Sequence, residues 1–271
     1  MAVRTSPSPG PPTLSGRPVG LFRARVSGRT TLGPHLVRIS LTGPDLARFH
    51  SDGPDQRVKL LLPRPGQDAP HVDADTTPRA VLAMSPDTRP VMRTYTVRAH
   101  RPETGEVDID FVLHGAHGGP ASQWAATAQP GAEAALYGPV AAYRPPETVA
   151  WQLIVGDDTA LPAIGAITEQ LTTPARIFIE VGERADRQPL ACAEDAVTWL
   201  YRGDEPAGAG TRLLDAVRAA GFPDGAPYAW LAGEQAAVRD LRRHLVGERG
   251  FAKEDVYFCG YWRRGRSEED A

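Results

Sequence analysis

The sequence predicts two domains, a small antiparallel β-barrel followed by a doubly wound α/β domain with a parallel sheet. In residues 19–146, short segments of alternating apolar and polar side chains are separated by turns, which is typical of a small barrel. From residue 147 onward, continuous apolar segments alternate with helix-like segments, which is typical of an α/β domain. The 271 residues are enough for two domains, and we place the boundary at residue 146.

The first domain is predicted to follow a disordered tail, because residues 1–18 are rich in Pro, Ser and Gly and bury little surface. Residues 64–87 are polar and contain prolines, which indicates a long loop, and residues 99–107 form a short connector. Pro120 stands near the start of a short helix, 121–128. The predicted strands cover residues 21–26, 36–41, 57–62, 93–98, 107–113 and 132–137.

The second domain, residues 147–271, is predicted to alternate strands and helices. Its first strand, 151–155, is apolar throughout, as in a sheet that is buried on both faces. Further strands are predicted at 175–181, 197–201, 228–232 and 256–259, and helices at 161–171, 212–220 and 234–248. In such sheets, ligands bind beyond the carboxyl ends of the strands.

The composition excludes several classes of function. A formal net charge of -3 gives no reason to expect wholesale attraction to nucleic acid. Cys192 and Cys259 lack metal-ligand or redox spacing, so we expect a reducing cytoplasm and no tightly bound protein metal site. No apolar run is long enough to span a membrane, and the N-terminus lacks the apolar core of a signal peptide. We expect a monomer.

The segment RTYTVR at residues 93–98 carries the clearest chemistry. At strand spacing, Arg93 and Tyr95 share one face with Val97, which places a cation beside a flat ring. That pair suits a ligand with a planar ring system and a phosphate, although ordinary cross-strand pairs would also explain it. The turn before the helix at 121–128 adds free N–H groups and a positive dipole end, which hold anions.

Five motifs in order resemble the siderophore-interacting proteins, which are FAD-dependent reductases of the ferredoxin-reductase-like superfamily. The resemblance covers roughly residues 18–266. Its motifs are RTYTVR (93–98) with DFVLHG (110–115), GPASQWA (119–125), GDDTALPAI (156–164), WLAGE (230–234) and GYWRRG (260–265). The resemblance implies an antiparallel β-barrel that binds FAD, followed by an α/β domain that binds NAD(P)H. It implies that FAD contacts Arg93, Tyr95, Thr96, Val112, His114, Gly119, Ala121 and Ser122.

The nucleotide side is predicted from position as well as from the resemblance. The GDDTA segment follows the first strand of the second domain, and no G-x-G-x-x-G motif is present. Thr159 and Ala160, with Asp158, would face the dinucleotide phosphates; the alternative is a helix N-terminus capped by Asp157 or Asp158. The neighbouring aspartates would repel a bare phosphate unless they lie outside the loop.

Six more positions extend the nucleotide prediction. Arg184 would favour the 2′-phosphate of NADPH and Glu183 would favour NADH, so the choice between the two stays open. The resemblance places Gly233 and Glu234 at a second turn that faces the dinucleotide. It also places Tyr261 and Trp262 near the flavin ring, where they would order the approach of the nicotinamide; packing and helix capping are the alternatives.

The resemblance implies a ferric siderophore as substrate, attracted by Lys59, Arg144, Arg263 and Arg264. The family commonly has an arginine just after the Gly-Pro that ends the barrel, whereas here Gly138-Pro139 is followed by VAAYR, so Arg144 would have to substitute. No catalytic acid, base or nucleophile is needed, because the flavin carries the electrons. Two alternatives are another flavin oxidoreductase with a different acceptor, and a siderophore-binding protein without enzymatic activity.

Overall fold

The computed structural model describes residues 16, 19–115 and 118–266, and it contains the two predicted sheets. The predicted tail lies outside these residues, apart from Gly16. One sheet has seven antiparallel strands and the other has five parallel strands. None of the described helices has the length and apolar composition needed to cross a membrane.

The seven-stranded sheet has the order β4-β3-β7-β1-β2-β6-β5. Its edge strands β4 and β5 are consecutive in the chain and are separated only by Val97 and Arg98, so the sheet must curl like a barrel. The Val97 N–H donates to the carbonyl of Gln56, and the Arg98 N–H donates to that of Asp108, across this junction. The strands are β1 (Gly20–Gly33), β2 (Leu36–Thr42), β3 (Arg57–Leu62), β4 (Val91–Thr96), β5 (Ala99–Arg101), β6 (Glu106–Val112) and β7 (Glu133–Val140).

Three details of this domain differ from the sequence prediction. The segment predicted as a loop at 64–87 contains α1 (Pro78–Leu82), which Thr77 caps by accepting a hydrogen bond from the Ala80 N–H. The predicted connector 99–107 contains β5, which the sequence hides because only three residues pair with β6. The strand predicted at 93–98 is β4 and lies two residues earlier, while α2 (Pro120–Thr127) confirms the predicted helix.

The five-stranded sheet has the order β10-β9-β8-β11-β12, so the chain changes direction across the sheet between β8 and β11. The helix α3 packs on one face, while α4 and α5 pack on the other, which confirms the doubly wound prediction. No helix connects β9 to β10; the connection has two short 3₁₀ turns. The elements are β8 (Trp151–Asp157), α3 (Leu161–Thr168), β9 (Ala175–Val181), β10 (Val197–Tyr201), α4 (Arg212–Ala219), β11 (Pro227–Glu234), α5 (Gln235–Glu248) and β12 (Val256–Trp262).

Contacts between the two sheets are polar as well as apolar. Asp55 is fully buried and accepts hydrogen bonds from the backbone N–H groups of Ala142 and Tyr143 and from Nε1 of Trp230 on β11. Arg98 pairs with Glu169 at 2.6 Å and lies against Gly165 of α3, where a Cβ would come within 3.0 Å of its Nε. These contacts set the orientation in which the barrel meets the carboxyl edge of the parallel sheet.

Candidate active site

The strand β4 presents the predicted flavin residues beside the barrel core. Tyr95 is half-buried, and its ring centroid lies 4.3 Å from that of Phe111 on β6. Arg93 is also half-buried, and its Nη1 donates to the carbonyl of Met92 at 2.8 Å. Thr96 is 5% exposed, and its hydroxyl has no hydrogen-bond partner among the described residues. The strand therefore offers a cation, an aromatic ring and an unsatisfied hydroxyl within four residues.

The start of α2 lies next to the end of β6. Gly119 is the N-cap and contributes no side chain, and nothing lies within 4 Å of where its Cβ would be. Ser122 is buried in the first turn, where its hydroxyl accepts the His114 N–H at 3.1 Å. Ser122 therefore ties α2 to the segment after β6 and does not cap the helix, whose N-cap is Gly119. Buried Ala121 completes this turn, and Val112 packs toward the second domain.

These residues fit FAD. An unsatisfied buried hydroxyl is costly, and the polar edge of a flavin ring would satisfy the hydroxyl of Thr96. The uncapped N-terminus of α2 offers N–H groups and a positive dipole end to a pyrophosphate. Arg93 supplies a charge of the right sign for the same group. The fit rests on three different kinds of contact, which come from the strand β4 and the start of α2.

At the carboxyl edge of the parallel sheet, Asp157 joins the ends of three strands. Its Oδ1 accepts hydrogen bonds from the N–H and the hydroxyl of Thr159, at 3.0 and 2.5 Å. Its Oδ2 accepts the N–H of Glu234 and Nε1 of Trp262, both at 2.8 Å. Gly233 must be glycine here, because its φ is +140° and a Cβ would lie 2.6 Å from Oδ2 of Asp157. Thr159, Gly233, Glu234 and Trp262 are thus brought together around Asp157.

Buried carboxylates dominate this edge. Asp158 forms an ion pair with Arg202, which follows β10, and burial nevertheless raises the pKa of Asp158. Burial, with the neighbouring charge of Asp158, raises the pKa of Asp157 to about 6. The predicted alternative, a helix N-terminus capped by Asp157 or Asp158, is wrong, because no side chain caps α3 and Asp157 accepts the N–H of Thr159, which precedes the helix. The N-cap of α3 itself is Ala160, which is buried and makes no side-chain hydrogen bond.

The residues predicted to choose between NADH and NADPH lie in a 3₁₀ turn after β9. Glu183 and Asp186 form a reciprocal capping box, in which each carboxylate accepts the backbone N–H of the other. Asp186 also accepts hydrogen bonds from the backbone and ring of His35 in the barrel, at 3.2 and 3.1 Å. Arg184 is exposed. His35, Glu183 and Asp186 lie close enough to ligate a metal, a grouping that the sequence spacing does not reveal.

The four predicted substrate cations are dispersed. Lys59 on β3 donates to Thr94 of β4 at 2.7 Å, one residue from Arg93. Arg144 is exposed, and its backbone N–H donates to the hydroxyl of Tyr228 at 3.3 Å. Arg263 and Arg264 are exposed beyond β12, and the backbone N–H of Arg264 donates to Glu234 at 3.3 Å. No hydrogen bond or ion pair found in residues 19–115 and 118–266 joins any two of the four side chains.

Sequence reasoning missed several residues that lie between the barrel and the parallel sheet or at the carboxyl edge of that sheet. Arg57 on β3 reaches across to β12, where its Nη1 lies 2.9 Å from Sγ of Cys259. Tyr261 faces the same contact, and its buried hydroxyl has no hydrogen-bond partner among the described residues. Arg202 is the one that a sequence signal could have identified, because it directly follows a predicted strand at the ligand-binding edge. Contacts between β3 and β12 have no signal in the sequence, since these strands are about 200 residues apart.

Glu180 provides a test of the charge at this edge. It is 8% exposed, no hydrogen bond to its carboxylate occurs among the described residues, and burial raises its pKa above the ordinary value. The folded protein is therefore most stable with respect to this group at low pH, where the Glu180 carboxyl is neutral. That contribution to the free energy of unfolding is lost as the pH rises through the raised pKa. We expect Glu180→Gln to melt higher than the parent at pH 8, by roughly 2–4 °C for each kcal/mol recovered.

The measurement is Tm by differential scanning calorimetry between pH 5 and pH 8. The advantage of Glu180→Gln should narrow as the pH falls through the raised pKa of Glu180, because the parent carboxylate then takes up its proton. Exposed Glu147 provides the matched control, since Glu147→Gln removes the same charge from the surface and should leave Tm unchanged. A Tm difference between Glu180→Gln and the parent that stays constant across the pH range would show that burial does not raise the pKa of Glu180.

Comparison with known proteins identifies the two halves of the chain. Residues 25–143 match the family model for the siderophore-interacting FAD-binding domain, and residues 149–265 match that for the siderophore-interacting protein. The ferric vibriobactin reductase ViuB of Vibrio cholerae is 34% identical over 240 residues, which is 87% of this chain and 86% of the relative. Both observations agree with the resemblance seen in the sequence motifs.

Solved structures show the same fold. A siderophore utilization protein from T. fusca superposes with a TM-score of 0.81 and 33% identity, over 94% of this chain and 98% of that one. The ferredoxin reductase in carbazole 1,9a-dioxygenase superposes with a TM-score of 0.64 and 18% identity, over 91% of this chain and 70% of that one. At that identity the second likeness concerns the fold alone, and it confirms the predicted two-domain fold.

Proposed function

Because the chain belongs to the siderophore-interacting protein family, we propose that it is an FAD-dependent NAD(P)H:ferric-siderophore oxidoreductase that works in the cytoplasm. It reduces Fe(III) to Fe(II) and thereby releases iron from the siderophore. The names of relatives support this reading, since ViuB is a ferric vibriobactin reductase. The observation that carries it in this chain is the unsatisfied hydroxyl of Thr96, on the same strand as Arg93 and Tyr95.

FAD would be held between the barrel and α2. Arg93 and the N–H groups at the start of α2 bind the pyrophosphate, Tyr95 packs against the ring system, and the Thr96 hydroxyl bonds to the ring edge. The backbone of His114 is bonded to Ser122, and its exposed side chain would contact the nucleotide half of FAD. FAD accepts two electrons as a hydride and passes them on singly, which reduction of Fe(III) requires.

The substrate would be drawn to the cations that flank this site. Ferric siderophores are bulky and often anionic, so Lys59, with Arg263 and Arg264 beyond β12, would raise their local concentration. Arg144 is less well placed to join them, since its backbone is fixed against Tyr228 of the second domain. Oxygen ligands hold Fe(II) less tightly than Fe(III), because the charge on the metal is lower, so reduction favours release.

The reductant in this proposal is NADH or NADPH, which approaches from the carboxyl edge of the parallel sheet. Position supports this assignment, because the edge between β8 and β11 is where open α/β sheets bind ligands. Trp262 is held to Asp157 at that edge, and Tyr261 lies between the two domains. Glu183 caps a 3₁₀ turn and Arg184 is exposed beside it, so these two residues leave the choice between NADH and NADPH open.

The test is an anaerobic spectral titration of the purified, FAD-loaded protein. Flavin absorbance should bleach on addition of NADH or NADPH and return on addition of a ferric catecholate siderophore. Two equivalents of Fe(III) should reoxidise one equivalent of flavin, with the Fe(II) counted by ferrozine. Flavin that bleaches but is not reoxidised by ferric siderophores would indicate another acceptor.

A protein that binds no FAD, even when FAD is added in excess, would contradict the reductase proposal. That result would leave the alternative of a siderophore-binding protein without enzymatic activity. Binding of the ferric siderophore itself, followed by quenching of tryptophan fluorescence, separates this alternative from a protein that has neither activity.

A further inference from the structure

The pyrophosphate of a dinucleotide would meet an unusual environment in this chain. The expected place, given the proposed function, is the crevice between the carboxyl ends of β8 and β11, where the order of the strands changes direction. Sites of this kind hold phosphate with backbone N–H groups at the start of the following helix. The state of those N–H groups therefore decides how well a phosphate is bound.

Carboxylates of the chain itself already occupy the donors of this crevice. Glu234 is the N-cap of α5, and its Oε2 accepts the N–H groups of Ala236 and Ala237, at 2.5 and 3.1 Å. Asp157 accepts the N–H of Thr159 and that of Glu234. A phosphate arriving here would have to displace a carboxylate from each of these pairs.

The charge of the edge also opposes a phosphate. Five carboxylates are buried at or just beyond the ends of β8, β9 and β11: Asp157, Asp158, Glu180, Asp186 and Glu234. Arg202 is paired with Asp158, and the backbone of exposed Arg264 donates to the Glu234 cap. The five buried carboxylates thus outnumber the arginines that contact them. The resulting negative charge weakens the binding of an anion at this edge.

We propose that Glu234 determines the affinity for the reductant, by keeping the amides of α5 from the pyrophosphate. This inference rests on the proposed function and goes beyond it. The chain then binds the phosphates of NADH and NADPH weakly, and the nicotinamide end carries recognition. Glu234 faces the dinucleotide, as the sequence resemblance implies, but it acts against phosphate binding.

The test is a gain of affinity. Isothermal titration calorimetry with NAD⁺ and with ADP measures binding to the FAD-loaded protein, without turnover. Glu234→Ala frees two N–H groups and removes a charge, so the Kd for both probes should fall at least tenfold. Glu234→Gln removes the charge but keeps a carbonyl cap, so its Kd should fall by a smaller factor.

Asp240→Asn is the matched control, because it removes one carboxylate from the same helix but at a half-buried position between Arg239 and Arg243. It should change the Kd for ADP less than twofold. A melting curve checks that Glu234→Ala folds despite the loss of its cap. If Glu234→Ala folds and binds ADP no more tightly than the parent, or if the parent already binds ADP at micromolar Kd, the inference is wrong.

The experiment also separates this inference from the proposed function. Flavin reduced with dithionite needs no nucleotide, so its reoxidation by a ferric siderophore tests the reductase alone. Reoxidation with unchanged Kd values in Glu234→Ala would contradict only the role of Glu234. Failure of reoxidation in every variant would contradict the reductase, and the calorimetry would still measure the effect of the cap.

Discussion

Replacement of Arg93 by alanine is expected to lower the affinity for FAD by about 100-fold. A charge-assisted hydrogen bond contributes about 1.5–3 kcal/mol, and a guanidinium can make two such bonds to a phosphate. A loss of about 2.7 kcal/mol corresponds to the expected factor. The Kd is measured by quenching of FAD fluorescence as the cofactor-free protein is titrated.

Two further variants define what Arg93 does. Arg93→Lys keeps the charge but not the planar fork, so its affinity should lie between those of the parent and Arg93→Ala. Arg25→Ala removes an exposed arginine from β1 of the same barrel and should leave the Kd unchanged. A folded Arg93→Ala protein with parental FAD affinity would show that the pyrophosphate lies elsewhere.

Replacement of Asp55 by alanine is expected to destabilise the protein by about 4 kcal/mol, through the contact between its two domains. The carboxylate is fully buried, and its loss leaves three N–H donors without an acceptor, those of Ala142, Tyr143 and Trp230. Each buried donor that is left unsatisfied costs roughly 1–3 kcal/mol, so the loss of three acceptor contacts accounts for about 4 kcal/mol. For a chain of this size, Tm should fall by roughly 8–16 °C.

The measurement is thermal unfolding, with the indole N–H resonance of Trp230 followed by NMR and assigned with Trp230→Phe. Asp55→Asn retains a carbonyl for Ala142 and Tyr143 but turns an amide toward Trp230, so it should shift that resonance and cost less stability. Asp45 is a matched control, since it also accepts a backbone N–H, from Arg23, but at the surface. Asp45→Ala should cost about 1 kcal/mol or less; an equal loss in both alanine variants would contradict a special role for burial.

Local patterns predicted most elements because their signals extend over a few residues. The strands β3, β9 and β10 begin and end at the predicted residues, since Pro63 ends β3 and apolar periodicity bounds the others. Other bounds depend on pairing with distant segments. The strand β1 continues to Gly33 because β2 turns back along it, and β7 continues through Val140 because it pairs with Arg57. The boundary at residue 146 stays a prediction.

The sequence by itself determined the class of the fold and the family, because these depend on periodicity and on short motifs in order. It also placed the aspartates of GDDTA at the ligand-binding edge. Only the tertiary structure decided which donors are free: Thr96 keeps an unsatisfied hydroxyl, while Glu234 and Asp157 occupy the amides beside the nucleotide crevice. The physical reason is that each donor and acceptor can make only a few hydrogen bonds. At this edge the partners come from β8, β11 and β12, which are far apart in the chain, so only the folded structure shows which groups are paired.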